Sequence, residues 1–221
     1  GIMRSCARLT YEQVQQARDG RDDDITGPLM ADVIEPLYGA YSALLKNRNN
    51  RGVLELDMPE RKVLLAADGS VEAIAVRQRL DSHKLIEEFM ICANVAAAEA
   101  LEKAEMPCLY RVHDEPSQEK LAALHEVLSG VGISFEKGGV ASPKRFNRVL
   151  KLAAATAHAE MVNVMVLRSQ AQAEYAPRNL GHFGLALRRY CHFTSPIRRY
   201  ADLLVHRALI DAGQLGDGGL S

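Results

Sequence analysis

The chain has 221 residues, 48% of them hydrophobic and 25% charged, and a net charge of −1. That balance suits a globular protein with a sizeable core, and it excludes both a chain too polar to fold and one that coats nucleic acid by bulk positive charge. No run approaches the ~18 apolar residues of a membrane span, the opening residues lack a secretion-signal layout, and cysteines 6, 92, 108 and 191 form no C-x-x-C pair, so the expectation is a cytoplasmic protein with buried, reduced thiols.

In chain order, residues 1–9 read as a short strand whose partners lie outside the sequence. Thr10 and Gln13 then form a capping box that opens a helix, and Gly20 closes it. The segment 21–28 is a polar loop. Helical spacing runs from Leu29 to about Asn47, with Pro36 kinking or restarting it. Residues 52–58 alternate like a strand, and 61–76 read as a hairpin turning at Asp68-Gly69. A long alanine-rich helix follows from Asp81 to before Pro107. Then come a strand at 108–112, a helix from Ser117 to about Ser129, a short strand near 133–135, a helix opened by Ser142-Pro143, and another over 159–173. The terminal helix begins after Ser195, and the glycine-rich residues 212–221 are expected to form a flexible tail.

The stretch YCHFTSPIRRYADLLVHRAL, residues 190–209, carries the strongest local signal. Ser195 caps the last helix and Pro196 takes its first position, which puts Arg198 and Arg199 in the first turn. Positive charge at a helix N-terminus costs roughly a few tenths of a kcal/mol per side chain unless an anion sits there. Residues 188–207 contain five arginines and one acid, Asp202, which marks a basic end on a near-neutral chain. Arg198, Asp202 and His206 share one ridge at i, i+4 and i+8, so Asp202 can orient Arg198 against a phosphate or pair with it as an ordinary surface salt bridge. Arg199 is turned about 100° away from that ridge.

Other residues carry weaker signals. Glu87 shares a sheltered helical stripe with Ile91 and Asn94, where a carboxylate can hold a metal-bound water or a ribose hydroxyl, while Glu88 has Lys84 four residues away. Asp22, Asp23 and Asp24 lack calcium-loop spacing, and His182, His192 and His206 lack zinc spacing. Tyr11, Tyr190 and Phe193 are candidates to stack on bases, though burial in the core is the commoner use of such rings.

The segment HFGLALRRYCHFTSPIRRYADLLVHRAL (182–209) resembles the signature of the RNB catalytic domain of the RNase II and RNase R exoribonucleases, with wording nearer to RNase R. Residues 2–14, 51–60, 86–101, 109–124 and 166–175 resemble further RNB segments in the same order. The resemblance implies a helix-rich α+β fold in which residues 1–211 are the later part of the catalytic domain, with a mixed sheet completed by upstream sequence of the same polypeptide. It implies a hydrolase that degrades RNA processively from the 3′ end of a single strand, releases nucleoside 5′-monophosphates, and uses Mg²⁺ at the scissile phosphate. The metal is held in the family by an upstream aspartate loop that this sequence does not contain, so no metal ligand is expected in this chain and the fragment is expected to be inactive alone.

Residue by residue, Arg198 aligns with the family's catalytic arginine and Glu87 with the glutamate that clamps the last nucleotide. Tyr11 aligns with the tyrosine that packs on that nucleotide. His182, Tyr190, His192, Thr194, Ser195 and Arg199 fall among the substrate-binding positions of the signature. Two rival readings stand beside this one: a noncatalytic RNA-binding relative that keeps the phosphate grip, and a structural helical module with no affinity for RNA.

Overall fold

The computed structural model describes residues 4–56, 58, 61–66, 68–76, 78–136, 138 and 140–216, without the side chains of residues 61 and 62. The fold is α+β and helix-rich, and it divides into two units, residues 1–47 with 59–91 and residues 48–58 with 92–221.

In the first unit, α1 (Tyr11–Arg18) opens on the expected capping box. Thr10 Oγ1 accepts from the Gln13 N–H at 3.2 Å, and Gln13 Oε1 accepts from the Thr10 N–H at 2.9 Å. Gly20, at φ +82°, takes the left-handed turn that ends it. Asp23 shapes the next loop by accepting from the Ile25 and Thr26 amides and the Thr26 hydroxyl, and those bonds hold its carboxyl below the usual range. A 3-10 turn over Gly27–Leu29 and a π turn over Met30–Ile34 lead into α2 (Glu35–Arg51), so the helix does restart beside Pro36. Ala17, Ile34, Tyr38, Tyr41 and Leu85 form this unit's core. The hairpin β1 (Arg61–Leu65) and β2 (Val71–Val76) turns where Asp68 accepts from the Ser70 amide and hydroxyl. α3 (Asp81–Lys103) then begins, and its residues up to Ile91 belong here.

The strand expected at 1–9 is absent from residues 4–9, which have no ladder partner among the described residues; residues 1–3 lie outside them.

The second unit has two cores. One brings Leu121, Leu124 and Leu128 of α4 (Gln118–Gly130) against Phe146, Val149 and Leu150 of α5 (Pro143–Ala153) and Val162 and Val166 of α6 (Ala159–Ser169). Each such large apolar side chain contributes about 1.5–3 kcal/mol on burial. The other joins Ala97, Ala98 and Leu101 of α3 to Cys108, β3 (Tyr110–Val112), Cys191, and Val205 and Ala208 of α7 (Tyr200–Ala212). β3 pairs antiparallel with β4 (Glu174–Ala176), bridges antiparallel to Cys191, and continues into a parallel bridge from His113 to His182.

Four expectations change here. Residues 52–56 and 58 are extended but form no strand: the Leu54 amide donates to Gly184 O, and the Asn147 amide serves Val53 O and the Glu55 N–H as a neighbouring strand would. Residue 57 lies outside the described set. Residues 133–135 also form no strand, because the Ile133 amide turns back to Leu128 O and the His125 ring takes Phe135 O. The helix from 159 stops at Ser169, where the Ser169 hydroxyl and the Gln170 amide both fold back onto Val166 O, and β4 follows unforeseen. Cys108 and Cys191 are buried thiols as expected, whereas Cys6 and Cys92 are exposed.

Candidate anion-binding site

The second unit builds its site on the turn between Ser195 and Tyr200. The amides of Arg198 and Arg199 both donate to Ser195 O, at 3.3 and 3.1 Å, which closes a single turn that α7 does not continue. Arg199 is extended (φ −129°, ψ 117°) and stands at the N-cap position, so the helix starts at Tyr200. Arg198 and Arg199 are therefore not in the first helical turn, and Pro196 does not open the helix. The Arg199 charge at the helix N-terminus is offset by the Asp202 carboxylate in the first turn rather than by a bound anion.

Asp202 organises this turn. It is fully buried; its Oδ1 accepts from the Ser195 amide at 2.7 Å and from Arg199 Nη2 at 2.8 Å, and its Oδ2 accepts from Arg199 Nε at 2.7 Å. Burial pushes its carboxyl up, but the Arg199 fork and the Ser195 N–H outweigh that and hold it below the usual carboxylate range. The expected Arg198–Asp202 partnership is thus replaced by Arg199–Asp202, because the extended Arg199 backbone carries its side chain back over the first turn.

Arg198 is left exposed, beside an Ile197 that is 102% exposed, and no carboxylate pairs with it among the described residues. The basic run is smaller than the sequence suggests. Arg189 is held by Glu102 at 3.0 Å and Arg199 by Asp202, which leaves Arg198 as the outward cation of the turn.

The chain leading into the turn is fixed from below by Asn94. Its Oδ1 accepts from the amides of Phe193 and Thr194, at 2.9 and 3.2 Å, and its Nδ2 donates to the Tyr190 hydroxyl at 2.9 Å. Asn94 entered the sequence reading only as a neighbour of Glu87; a buried amide within an alanine-rich helix was the signal available. Phe193 lies flat on His206, centroids 4.3 Å apart, and His206 Nε2 bonds Phe193 O at 2.8 Å. Tyr190 is buried, and one face of the Phe193 ring is taken by His206. The Thr194 Oγ1 atom is buried with no hydrogen-bond partner among the described residues.

His182 supports the scaffold. Its Nδ1 accepts from the Leu185 amide at 3.2 Å, its ring meets His113 and Tyr190 edge-on, and burial next to His113 holds it down to about 3. Gly184 packs against this cluster, where a Cβ would come within 2.9 Å of His113 Nδ1. His192 sits half-buried between Tyr175 and Tyr190.

Tyr11 and Glu87 belong to the first unit. The Tyr11 ring stacks on His83 at 4.2 Å and 21°, is 40% exposed, and edges an apolar cavity of about 510 Å³ lined also by Leu9, Ile34, Tyr38 and Leu85. The Ser82 hydroxyl donates to Tyr11 O and fixes the start of α1. Glu87 pairs with Arg79 and is half exposed, whereas Glu88 is only 5% exposed and Lys84 pairs with Asp81 instead. The sheltered carboxylate is therefore Glu88, and the stripe expected for Glu87 is displaced by one residue.

Among the described residues no three His, Cys, Asp or Glu side chains converge to hold a metal ion, and no helix is long and apolar enough to cross a membrane. A protein-family model described as the RNB domain matches residues 1–214. The chain is 44% identical over 210 residues to Ribonuclease R of Escherichia coli (strain K12), an alignment covering 94% of this chain and 26% of that protein. It is 40% identical over 211 residues to Ribonuclease R of Aquifex aeolicus (strain VF5), covering 94% of this chain and 30% of that one. The fold matches the structure of Mycoplasma genitalium RNase R in complex with ribose methylated single-stranded RNA, with a TM-score of 0.83 and 25% identity over 92% of this chain and 32% of that one. It also shares its fold with yeast Ssd1, described as a pseudonuclease, at a TM-score of 0.65 and 19% identity. The chain thus spans about a quarter to a third of the length of these relatives.

Proposed function

The chain belongs to the RNB domain family, and from that premise we propose that it is the RNA-gripping part of a hydrolytic exoribonuclease that works processively from the 3′ end and releases nucleoside 5′-monophosphates. The observation that carries this reading is an exposed Arg198, free of a carboxylate partner among the described residues, on a turn whose Ser195 amide and Arg199 guanidinium are tied to the buried Asp202. A guanidinium presented in that way meets a phosphate with a planar fork of donors and little reorganisation. Asp202 supplies the stiffness, since it fixes both ends of the turn.

In this reading the first unit uses Tyr11 to stack on a base and Glu87, after exchanging its bond to Arg79, to bond a sugar hydroxyl. Arg198 meets the charge that grows on phosphorus. The Mg²⁺ implied by the family resemblance does not fit this chain, because no carboxylate cluster converges among the described residues. Its ligands are assigned to an upstream part of a longer polypeptide.

The rival is a noncatalytic RNA-binding relative, a reading that the fold shared with a pseudonuclease keeps in view. The test uses residues 1–221 and an end-labelled single-stranded RNA with Mg²⁺, alongside the full-length parent. The expected result is salt-dependent binding by the chain without product, and mononucleotide release by the parent. A parent that binds and never cleaves identifies the noncatalytic relative, and a chain that binds no RNA at low salt overturns the reading.

A further inference from the structure

Tyr175 and His192 form a pair that neither core of the second unit requires. Tyr175 is the cross-strand partner of Arg111, whose guanidinium lies over its ring 4.8 Å from the centroid. The Tyr175 hydroxyl is 2.8 Å from His192 Nδ1, and the two rings meet edge-on at 5.6 Å. The Tyr190 ring closes in at 5.7 Å, and Tyr190 is itself anchored by Asn94. The imidazole is thus held by two rings, three residues before Ser195 and six before Arg198.

A cation over the face of a phenol draws charge out of the ring and strengthens its O–H as a donor. A phenol strengthened in that way favours the arrangement in which it donates to Nδ1 and the ring proton stays on Nε2. We propose that Tyr175 is a positioning residue that sets the orientation and tautomer of His192, whose Nε2–H donates to an RNA phosphate beside the one gripped by Arg198. The proposal rests on the RNA-binding reading above. The charged groups facing His192 are Arg199, Arg111 and Arg198 and, with opposite effect, Asp202; burial comes first and the arginines next in holding the imidazole down to about 4. In the chain free of RNA, His192 is thereby a neutral donor across the range where an ordinary histidine titrates.

The test measures fluorescence anisotropy of a labelled single-stranded oligouridylate with the whole chain and its variants. Tyr175→Phe and His192→Ala are each expected to weaken binding about three- to tenfold, the worth of one hydrogen bond, and the double variant to bind no more weakly than His192→Ala. His192→Gln, which keeps a donor near the Nε2 position, restores part of the loss. In Tyr175→Phe the hydrogen bond that favours the neutral ring is gone, so the His192 imidazole resonances titrate at higher pH. If His192→Ala binds as wild type while Arg198→Ala does not, His192 is not in contact with RNA and the proposal falls with the RNA reading intact. If Tyr175→Phe leaves both binding and the imidazole titration unchanged, Tyr175 positions nothing. If the wild-type chain binds no RNA, both readings fall together.

Discussion

Asp202 holds Arg199 through both carboxylate oxygens, at 2.7 and 2.8 Å, with the carboxylate fully buried. Two neighbouring arginines therefore have opposite duties: Arg199 is consumed as a brace, and Arg198 is presented to solvent.

The brace predicts a stability effect. Asp202→Ala removes one partner of a buried pair and leaves the Ser195 amide unmet, a loss of about 3–5 kcal/mol. Arg199→Lys keeps the charge but not the two-point geometry, so it costs less than Asp202→Ala and more than Arg198→Lys, whose effect on stability is within about 0.5 kcal/mol. Chemical denaturation of the three variants gives the ranking. Equal stability of Arg199→Lys and wild type would show that the fork is not needed.

A second expectation concerns pH. The folded state holds His182 down to about 3 and His192 to about 4, while the unfolded chain titrates near 6.5. Between those values the unfolded state binds more protons, so this contribution is complete above about pH 6.5 and declines as pH falls, at no more than about 1.4 kcal/mol per pH unit for each histidine. Asp202, whose folded value is depressed, adds its own loss only below about pH 4. Unfolding curves from pH 8 to 4 should show a falling stability that His182→Gln flattens. A profile unchanged by His182→Gln would contradict a neutral buried ring.

Much of this was legible in the sequence, and the failures share a cause. The capping box at Thr10, the Asp68-Gly69 turn, the long α3 and the caps at Ser117 and Ser142 are written within a few neighbouring residues, and each element forms where expected. Residues 52–58 alternate as a strand should, yet the Val53 carbonyl and the Glu55 amide are satisfied by the side chain of Asn147, some ninety residues away, and no local pattern reports that. The start of α7 was misplaced for a related reason. Ser-Pro is a sound opening for a helix, but the bond from the Ser195 amide to Asp202 favours a separate turn. The basic run marked residues 188–207 as cationic, while Glu102 and Asp202, which pair with Arg189 and Arg199, are what single out Arg198 in the turn.

Tyr11 gives a third expectation. Its ring is 40% exposed and rests on His83, so truncation leaves the capping box and the Ser82 bond to the backbone in place. Tyr11→Ala in the full-length parent is expected to weaken the hold on the last nucleotides by about 1–3 kcal/mol, and Tyr11→Phe to retain most of it. The end products of digestion should become longer or more heterogeneous in Tyr11→Ala. An unchanged end product made at a slower rate would assign Tyr11 to the apolar cavity rather than to RNA.

The most direct measurement compares Arg198→Lys and Arg199→Lys in the full-length parent by equilibrium RNA binding and single-turnover cleavage, at a temperature where both variants are folded. If Arg198 meets the charge developing at the scissile phosphate, Arg198→Lys leaves binding within about twofold and slows cleavage by roughly 10²–10³, the loss typical of one transition-state donor. Arg199→Lys, once folded, slows cleavage far less. Equal losses in binding and cleavage for Arg198→Lys, or the same slowing of cleavage in both variants, would contradict the assignment of Arg198 to the reacting phosphate.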